Sequence, residues 1–215
     1  MTHTLHFIDR LLRSAADRDL TQDTPRVGGW AGLVALCVGG ALYGAVMGCF
    51  GGFDGDRPLQ VLFSALKVPL LIGVTTALAL PSFYVLNALL GLAADFAEAV
   101  RAVAVTQSAV AVVLASLCPY PALWYLSTTN YNEAILFNAV MFGTASVSAQ
   151  WVLRRRYAPL IARNPRHRVM LWGWLCVYAF VGIQMGWTLR PFIGQPDRPV
   201  TFFREDTWGN AYVYV

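Results

Sequence analysis

The sequence predicts an all-α integral membrane protein, built as a bundle of about five transmembrane helices with an amphipathic helix at its N-terminus. Composition is the first reason: hydrophobic residues make up 57% of the 215-residue chain and charged residues only 13%. Soluble domains average about 45–50% apolar and about 25% charged residues. The second reason is that the charges are bunched between apolar runs of roughly 20 residues, the length that a spanning helix needs.

The N-terminal segment, residues 1–29, is predicted to lie in the cytoplasm and to begin with the amphipathic helix. Its apolar side chains share one face of a helix over residues 2–19. They are Leu5, Ile8, Leu12 and Ala15. This face suits either the membrane interface or the protein's own loops, and the sequence favours neither. Charges interrupt the segment, which distinguishes it from a cleaved signal peptide.

Five apolar runs follow the N-terminal segment. The predicted bundle, residues 30–189, has spans at about 30–50, 59–80, 102–117, 134–153 and 170–189. The second run continues to Leu92, but Pro69 and Pro81 interrupt it. We therefore expect a broken helix over 59–92, with a second short piece that begins at Ser82. At about 1.5 Å per residue this stretch exceeds one bilayer but is too short for two spans and a turn.

Arginines set the predicted orientation of the bundle. The predicted loop after the fourth span carries basic residues and no acid, namely Arg154, Arg155, Arg156, Arg163, Arg166 and Arg168. Under the positive-inside rule this segment lies in the cytoplasm. Five spans then place the N-terminus inside and the aromatic tail, residues 190–215, outside. We expect the membrane to be the inner membrane of a bacterium.

Small residues in two spans predict close helix packing. Gly40, Gly44 and Gly48 recur at every fourth position of the first span, and Gly182 and Gly186 form a single copy in the fifth. This spacing puts the glycines on one face, where another helix can approach backbone to backbone. The partner helix can belong to the same chain or to another one.

Lys67 is the basic residue that lies well inside a predicted span, about 12 Å from its outer end at helical rise. A charge at that depth is expensive, which makes a functional role the default hypothesis. Two structural alternatives stay open. The long side chain can reach back to the outer headgroups, or the amine can satisfy a carbonyl that Pro69 leaves without its helical partner.

Amide side chains occur in the other apolar runs, at Asn87, Gln107, Asn138, Gln150 and Gln184. In an apolar environment such groups form hydrogen bonds between helices, and they can also line a pore. Lys67, Asn87, Gln107, Asn138 and Gln184 therefore form the candidate polar site of this chain.

Chemistry-bearing motifs are missing from the sequence. It contains no P-loop, no GxSxG, no HExxH and no paired carboxylates. His3 and His6 have a spacing that two metal ligands can use, but no third ligand lies nearby, so solvated histidines are the better interpretation. We therefore expect a protein that is not an enzyme, with no catalytic, cofactor-binding or metal-binding residues. We also expect its positive charge to serve orientation rather than nucleic-acid binding.

Two stretches resemble a known group of proteins. KVPLLIGVTTALALPSFYVLNALLG, residues 67–91, and LRPFIG, residues 189–194, are similar to bacterial multi-pass proteins loosely grouped with the Yip1-like family. The resemblance implies five spans, a cytoplasmic N-terminus and an outward C-terminus. The acidic aromatic motif that precedes the spans of the eukaryotic members is missing here, so their trafficking role and their functional residues are not transferred.

These observations favour a non-catalytic scaffold or an accessory subunit of a larger membrane assembly. Its expected partners are the lipid bilayer and other membrane subunits or further copies of the chain. The alternative is a channel or transporter for a small solute or an anion that uses Lys67 near the broken helix 59–92. Interrupted helices build substrate sites in many transporters, although no acid lies in the middle of a span here.

Overall fold

The computed structural model describes residues 29–195 and 198–204, together with His6 and Asp9. In this part of the chain the backbone forms helices and no strand. They are α1 (Gly29–Gly48), α2 (Arg57–Leu89), α3 (Phe96–Leu117), α4 (Pro119–Ser127), α5 (Tyr131–Arg163) and α6 (Arg166–Thr188). The amphipathic helix expected over residues 2–19 lies outside the described residues except for His6 and Asp9, and it stays a prediction.

Five of these helices are long and apolar enough to cross a membrane. They are α1 with its terminal 3-10 turn, α2, α3 with its leading 3-10 turn, α5 and α6. With nine residues, α4 is too short to span. The structure thus confirms the predicted helical fold class and the number of candidate spans.

The prediction of a broken helix over 59–92 is wrong, because α2 runs without interruption for 33 residues through both Pro69 and Pro81. A proline removes one backbone donor from a helix. Ending the helix at Pro81 would instead leave several amides and carbonyls unpaired among apolar side chains, at a higher cost. The helix ends two residues before Gly91, whose positive φ of 72° only glycine adopts readily.

The prediction of an arginine-rich loop after the fourth span is also wrong. Helix α5 continues to Arg163, and only Asn164 and Pro165 separate it from α6. The six arginines therefore lie on helices: Arg154, Arg155, Arg156 and Arg163 on α5, and Arg166 and Arg168 on the first turn of α6. The part of α5 beyond the predicted span stays helical because arginine, alanine and leucine favour helix. Its inner face contains the buried side chains of Tyr157 and Leu160.

The α5 helix begins where the sequence supplies a cap. The side-chain oxygen of Asn130 accepts hydrogen bonds from the backbone amides of Asn132 and Glu133, at 3.0 and 3.5 Å. These two amides have no partner inside the helix, which is why asparagine is favoured at this position. The cap fixes the start of α5 at Tyr131, three residues before the predicted span.

The bundle has two ends, which we name by their contents. The tail end holds the C-terminus of α1, the start of α2, α4, the start of α5 and residues 190–195 and 198–204. The arginine end holds the opposite termini, including the α5–α6 turn. Helix α1 packs along α2 and α3, α3 packs along α5, and α2 packs along α6.

Each end has its own apolar core. At the tail end the core contains Tyr43, Met47, Ile72 and Leu114, together with Ile193 from the segment after α6. At the arginine end it contains Phe83, Leu153, Tyr157, Leu160 and Trp174. The presence of Ile193 in the first core means that the segment after α6 belongs to the folded bundle.

Glycines allow α1 to lie directly against its neighbours. A Cβ added at Gly44 would overlap the backbone oxygen of Ser64, and one at Gly48 would lie 2.5 Å from the Cα of Val61. Gly39, which the sequence analysis passed over, would place a Cβ 2.6 Å from a backbone oxygen of α3. Contacts this short exclude any side chain, so glycine sets the distance between these helices.

The other predicted packing glycines differ in their surroundings. A Cβ at Gly40 would lie 3.1 Å from the ring nitrogen of Pro69, which is again a close contact. A Cβ at Gly182 would meet Thr75 at the ordinary distance of 3.6 Å, and one at Gly186 would have no atom of the described chain within 4 Å. The double motif in α1 thus faces α2, whereas the single motif in α6 makes no tight contact among the described residues.

Candidate functional site

A polar stripe runs along the first three turns of α2 and faces the segment after α6. It consists of Arg57, Gln60, Ser64 and Lys67, spaced by three, four and three residues. This spacing places all four on one face of a helix. Gln60, Ser64 and Lys67 are buried, with at most 1% of their surface exposed.

The stripe is buried because residues 191–195 lie across it. Lys67 donates a hydrogen bond to the carbonyl of Pro191 at 2.7 Å, and the Ser64 hydroxyl donates to the carbonyl of Phe192. Without these donors, the carbonyls of a non-helical segment inside an apolar core would lack partners, at a cost of about 1–3 kcal/mol each.

The first turn of α2 completes this contact. Arg57 donates to the carbonyl of Gln195 at 3.1 Å, and Gln60 donates to Ser64 Oγ at 3.0 Å and to Phe192 at 3.4 Å. We call the four helix residues and the carbonyls that they bind the tail clasp. It fastens the start of the C-terminal tail to the second helix.

Two further contacts hold the tail from the opposite side. The Tyr131 hydroxyl, at the start of α5, donates to the carbonyl of Ile193 at 3.4 Å, and it accepts a hydrogen bond from Arg204 at 3.2 Å. A Cβ added at Gly194 would lie 2.8 Å from the Gln60 side chain, so the tail approaches α2 closely here. The tail is therefore held between α2 and α5.

Lys67 is completely buried, although its position on α2 lies roughly 15 Å from the first residue of the helix. The amine contacts the carbonyl of Pro191 and lies 4.8 Å from the ring centre of Phe202, on whose face a cation is attracted. The amine thus neither reaches exposed surface nor caps a carbonyl freed at Pro69. Its partner comes from the tail, which sequence reasoning treated only as an aromatic extension.

The other members of the predicted polar site lie elsewhere and make separate contacts. Asn138 accepts a hydrogen bond from Tyr43 at 2.9 Å and donates to Tyr125, which joins α5 to α1 and α4. Burial raises the pKa of the Tyr125 phenol to about 12. Gln107 accepts from Tyr178 at 2.9 Å and joins α3 to α6.

Asn87 does not extend these contacts into a common site. Asn87 is fully buried and donates to the carbonyl of Phe83 in its own helix at 2.8 Å. Its side-chain oxygen has no hydrogen-bond partner among the described residues. Gln184 is half-buried on α6. Asn87, Gln107 and Asn138 therefore bind groups other than Lys67.

Charged residues join the helices at the arginine end. The buried imidazole of His167 places Nε2 3.0 Å from a carboxylate oxygen of Asp95, which joins α6 to the turn before α3. Arg163 makes two hydrogen bonds to the exposed carboxylate of Glu98, at 2.8 and 3.1 Å. Exposed pairs of this kind contribute only about 0–1 kcal/mol.

A cavity of about 270 Å³ opens beneath the tail at the start of α2. Its walls contain Arg57, Gln60, Pro191, Gly194, Gln195, Arg198, Pro199, Val200, Thr201, Phe203 and Arg204. Arg198 and Pro199 at its mouth are exposed, whereas Gln60 and Gly194 in its wall are buried. The described lining of the cavity thus mixes apolar groups with the three arginines Arg57, Arg198 and Arg204, and the cavity is partly open.

Metal chemistry finds no support in the described residues, where no group of three His, Cys, Asp or Glu side chains is arranged to hold an ion. The helices of spanning length indicate a multi-pass membrane protein. No protein-family model matches the chain, and no curated protein or solved structure shows significant similarity to it. The resemblance to Yip1-like proteins consequently stays a prediction.

Proposed function

We propose that this chain is a non-catalytic scaffold or accessory subunit of a membrane assembly in the bacterial inner membrane. The proposed orientation puts the arginine end in the cytoplasm and the tail end outside. The concentration of Arg154, Arg155, Arg156, Arg163, Arg166 and Arg168 at one end supports this orientation through the positive-inside rule.

The main support for the proposal is the hydrogen bonding of the Lys67 amine. A channel or carrier for anions would need this charge to face a continuous polar cavity. Instead, Lys67 binds the carbonyl of Pro191 beneath the ring of Phe202, and the amides Gln107 and Asn138 bind tyrosines on other helices. Polar groups used in this way hold helices and tail in one arrangement, which is the property required of a scaffold.

Exposed apolar surface on α5 supplies a surface for partners. The most apolar windows of α5 and α6 are only 22% and 17% buried within this chain. On α5, large exposed side chains recur on one helical face at Leu136, Val140, Val147 and Trp151. This face meets either lipid or another protein, and the scaffold proposal requires a protein on part of the exposed surface.

Site-specific photo-cross-linking in cells tests this requirement. A photoreactive residue is placed at Val140, Val147 or Trp151, and at Leu42 on α1 as a matched exposed position on a different helix. We expect discrete protein adducts from the positions on α5 and only lipid adducts from Leu42 on α1. If every exposed position yields only lipid adducts at native abundance, the chain has no membrane partner and the scaffold proposal fails.

A flux measurement tests the alternative directly. Purified protein in liposomes should show no transport of small anions above that of empty liposomes. Flux in the wild type that is lost in Lys67→Met, with normal folding of the variant, would replace the scaffold by a channel or carrier.

A further inference from the structure

The short helix α4, which does not span, carries an exposed apolar face. The side chains of Tyr120, Leu123 and Leu126 are 57%, 64% and 85% exposed, and we call these three the α4 face. They lie opposite Pro121 and Tyr125, which pack into the bundle. Single exposed apolar residues are common on soluble proteins, whereas a contiguous patch marks an interaction surface.

The composition of α4 narrows the kind of partner. Between Arg101 and Glu133 the sequence contains no charged side chain and no histidine, so α4 can form no ion pair with a partner. The Ser127 hydroxyl donates to the carbonyl of Leu123 in the same helix at 3.3 Å. Acyl chains require only apolar contact, and tyrosine and tryptophan prefer the level of the headgroups. The boundary between headgroups and acyl chains therefore fits α4 better than a protein does.

The contact with α5 gives the depth of α4 relative to the nearest charge. Glu133 is exposed and accepts hydrogen bonds from Thr128 and Asn130, which marks the water side. The rings of Trp124 and Phe137 are stacked, with centres 4.7 Å apart and planes at 4°. Phe137 follows Glu133 by four residues, so Trp124 lies about 6 Å to the membrane side of that carboxylate at helical rise. Helices embedded in a membrane interface lie roughly 5–10 Å deep.

Other helices expose apolar side chains at the same level. Tyr43 of α1 donates a hydrogen bond to Asn138, the neighbour of Phe137, which places this part of α1 beside this part of α5. Leu42 on α1 is 55% exposed and Ile135 on α5 is 44% exposed. The α4 face thus continues the exposed apolar surface of the spanning helices.

We propose that α4 is embedded in the outer membrane–water interface, with the α4 face against phospholipid. This inference rests on the proposed membrane function and orientation, and it adds an element that binds lipid without spanning. Asn138 accepts from Tyr43 and donates to Tyr125, so α4 is tied to both α1 and α5. Contact between α4 and lipid therefore holds the tail end of the bundle at one depth.

Fluorine NMR relaxation in nanodiscs tests the depth of α4. Trifluoromethylphenylalanine replaces Leu126 in the full chain, held as a single copy in phosphatidylcholine nanodiscs. Leu42 is the matched lipid-exposed position, and the exposed Asn132 beside Glu133 is the water-exposed one. Relaxation is measured with a spin-labelled phospholipid and, separately, with a soluble paramagnetic chelate. At Leu126, as at Leu42, we expect the lipid label to relax the probe more than the chelate does, with the reverse at Asn132.

The two reference positions separate the possible failures. Stronger relaxation by the chelate at Leu126 but not at Leu42 overturns the inference and leaves the membrane proposal intact. Stronger relaxation by the chelate at both positions contradicts insertion, and the inference fails with it. The same probe at Leu123, on the same face, keeps the inference testable if the first variant does not fold.

Photo-cross-linking in cells distinguishes lipid from protein on the α4 face. A photoreactive residue at Leu126 should yield lipid adducts. A discrete protein adduct at native abundance would assign the α4 face to a partner protein, which overturns the lipid assignment while supporting the scaffold proposal.

Discussion

Lys67→Met is expected to loosen the C-terminal tail while the helices stay folded. Methionine keeps an unbranched side chain of similar length but removes the amine, which binds the carbonyl of Pro191 at 2.7 Å and lies 4.8 Å from the ring centre of Phe202. The amine is fully buried, so bulk water cannot replace either contact while the tail is docked.

The expected change in the free energy of tail docking is the balance between the contacts that are lost and the cost of burying a charge that is removed. The hydrogen bond of a charged donor contributes about 1.5–3 kcal/mol, a figure that already includes the cost of leaving the carbonyl of Pro191 without this donor. A desolvated cation above an aromatic ring adds up to about 2 kcal/mol. Against these losses, the variant no longer buries a charge, which recovers several kcal/mol. We expect a net loss of about 1–2 kcal/mol in tail docking, or roughly 5–30 times more frequent opening.

Hydrogen–deuterium exchange of the backbone amides of residues 192–195 measures this opening in detergent or nanodiscs. Exchange in Lys67→Met should accelerate by that factor, with amides in the middle of α3 unchanged. Leu66→Met is the matched control, because it introduces the same side chain at an exposed neighbouring position on α2. Ser64→Ala, which removes one of the two donors to the carbonyl of Phe192, should accelerate exchange at the same residues.

Equal exchange in the wild type and in Lys67→Met would refute this reasoning. It would mean that the cost of burying the amine offsets everything that the amine contributes, and that Ile193 and its apolar neighbours alone hold the tail. Slower exchange in the variant would contradict it more strongly, because the buried charge would then oppose docking.

Three further experiments have defined outcomes. Gly44→Leu should force α1 away from Ser64 and lower stability by at least about 1–3 kcal/mol, seen as loss of abundance and of thermal stability, whereas Gly186→Leu should be tolerated. Asn138→Leu should cost about 1–3 kcal/mol, measured by thermal unfolding, because two tyrosine hydroxyls lose their partner. Reporter fusions should place the N-terminus inside and the C-terminus outside, and a cytoplasmic reporter after Val215 would contradict the orientation.

Apolar run length was sufficient to predict the helical class and the number of candidate spans, because a helix of spanning length needs a contiguous apolar stretch. Run length was insufficient to predict the residues at which the helices end. Helix α5 extends ten residues beyond the predicted Leu153, into a charged stretch that still has good helix formers and an inner face with Tyr157 and Leu160. Hydropathy measures the membrane-compatible part of a helix, and it does not detect where the helix itself stops.

The prediction for α2 assumed too strong a helix-breaking effect of proline. In water a helix can end at a proline because the freed groups bind solvent, and this was the assumption behind a break near Pro81. In an apolar bundle the freed groups have no solvent, so continuing the helix costs less than ending it. Pro69 also serves packing, since Gly40 of α1 lies against its ring.

The tail clasp went unrecognised because its two halves lie about 130 residues apart in sequence. Sequence reasoning singled out Lys67 as a lone charge and took no account of Arg57, Gln60 and Ser64 beside it. A usable signal was present, since these residues recur at spacings of three, four and three in residues 57–74, a stretch that is otherwise apolar. A polar stripe on an apolar helix requires partners, and backbone carbonyls of a non-helical segment are suitable ones.

This pairing also explains why the polar groups of the chain are distributed as they are. Helices satisfy their own backbone, so most faces of α2 need only apolar side chains. Residues 191–195 are not helical, and their carbonyls at the end of the bundle need donors from outside the segment. Placing the donors in one stripe on α2 lets a single helix face meet the carbonyls of Pro191, Phe192 and Gln195. The position of the stripe therefore follows from the path of the tail, and a conduction pathway is not needed to account for Lys67.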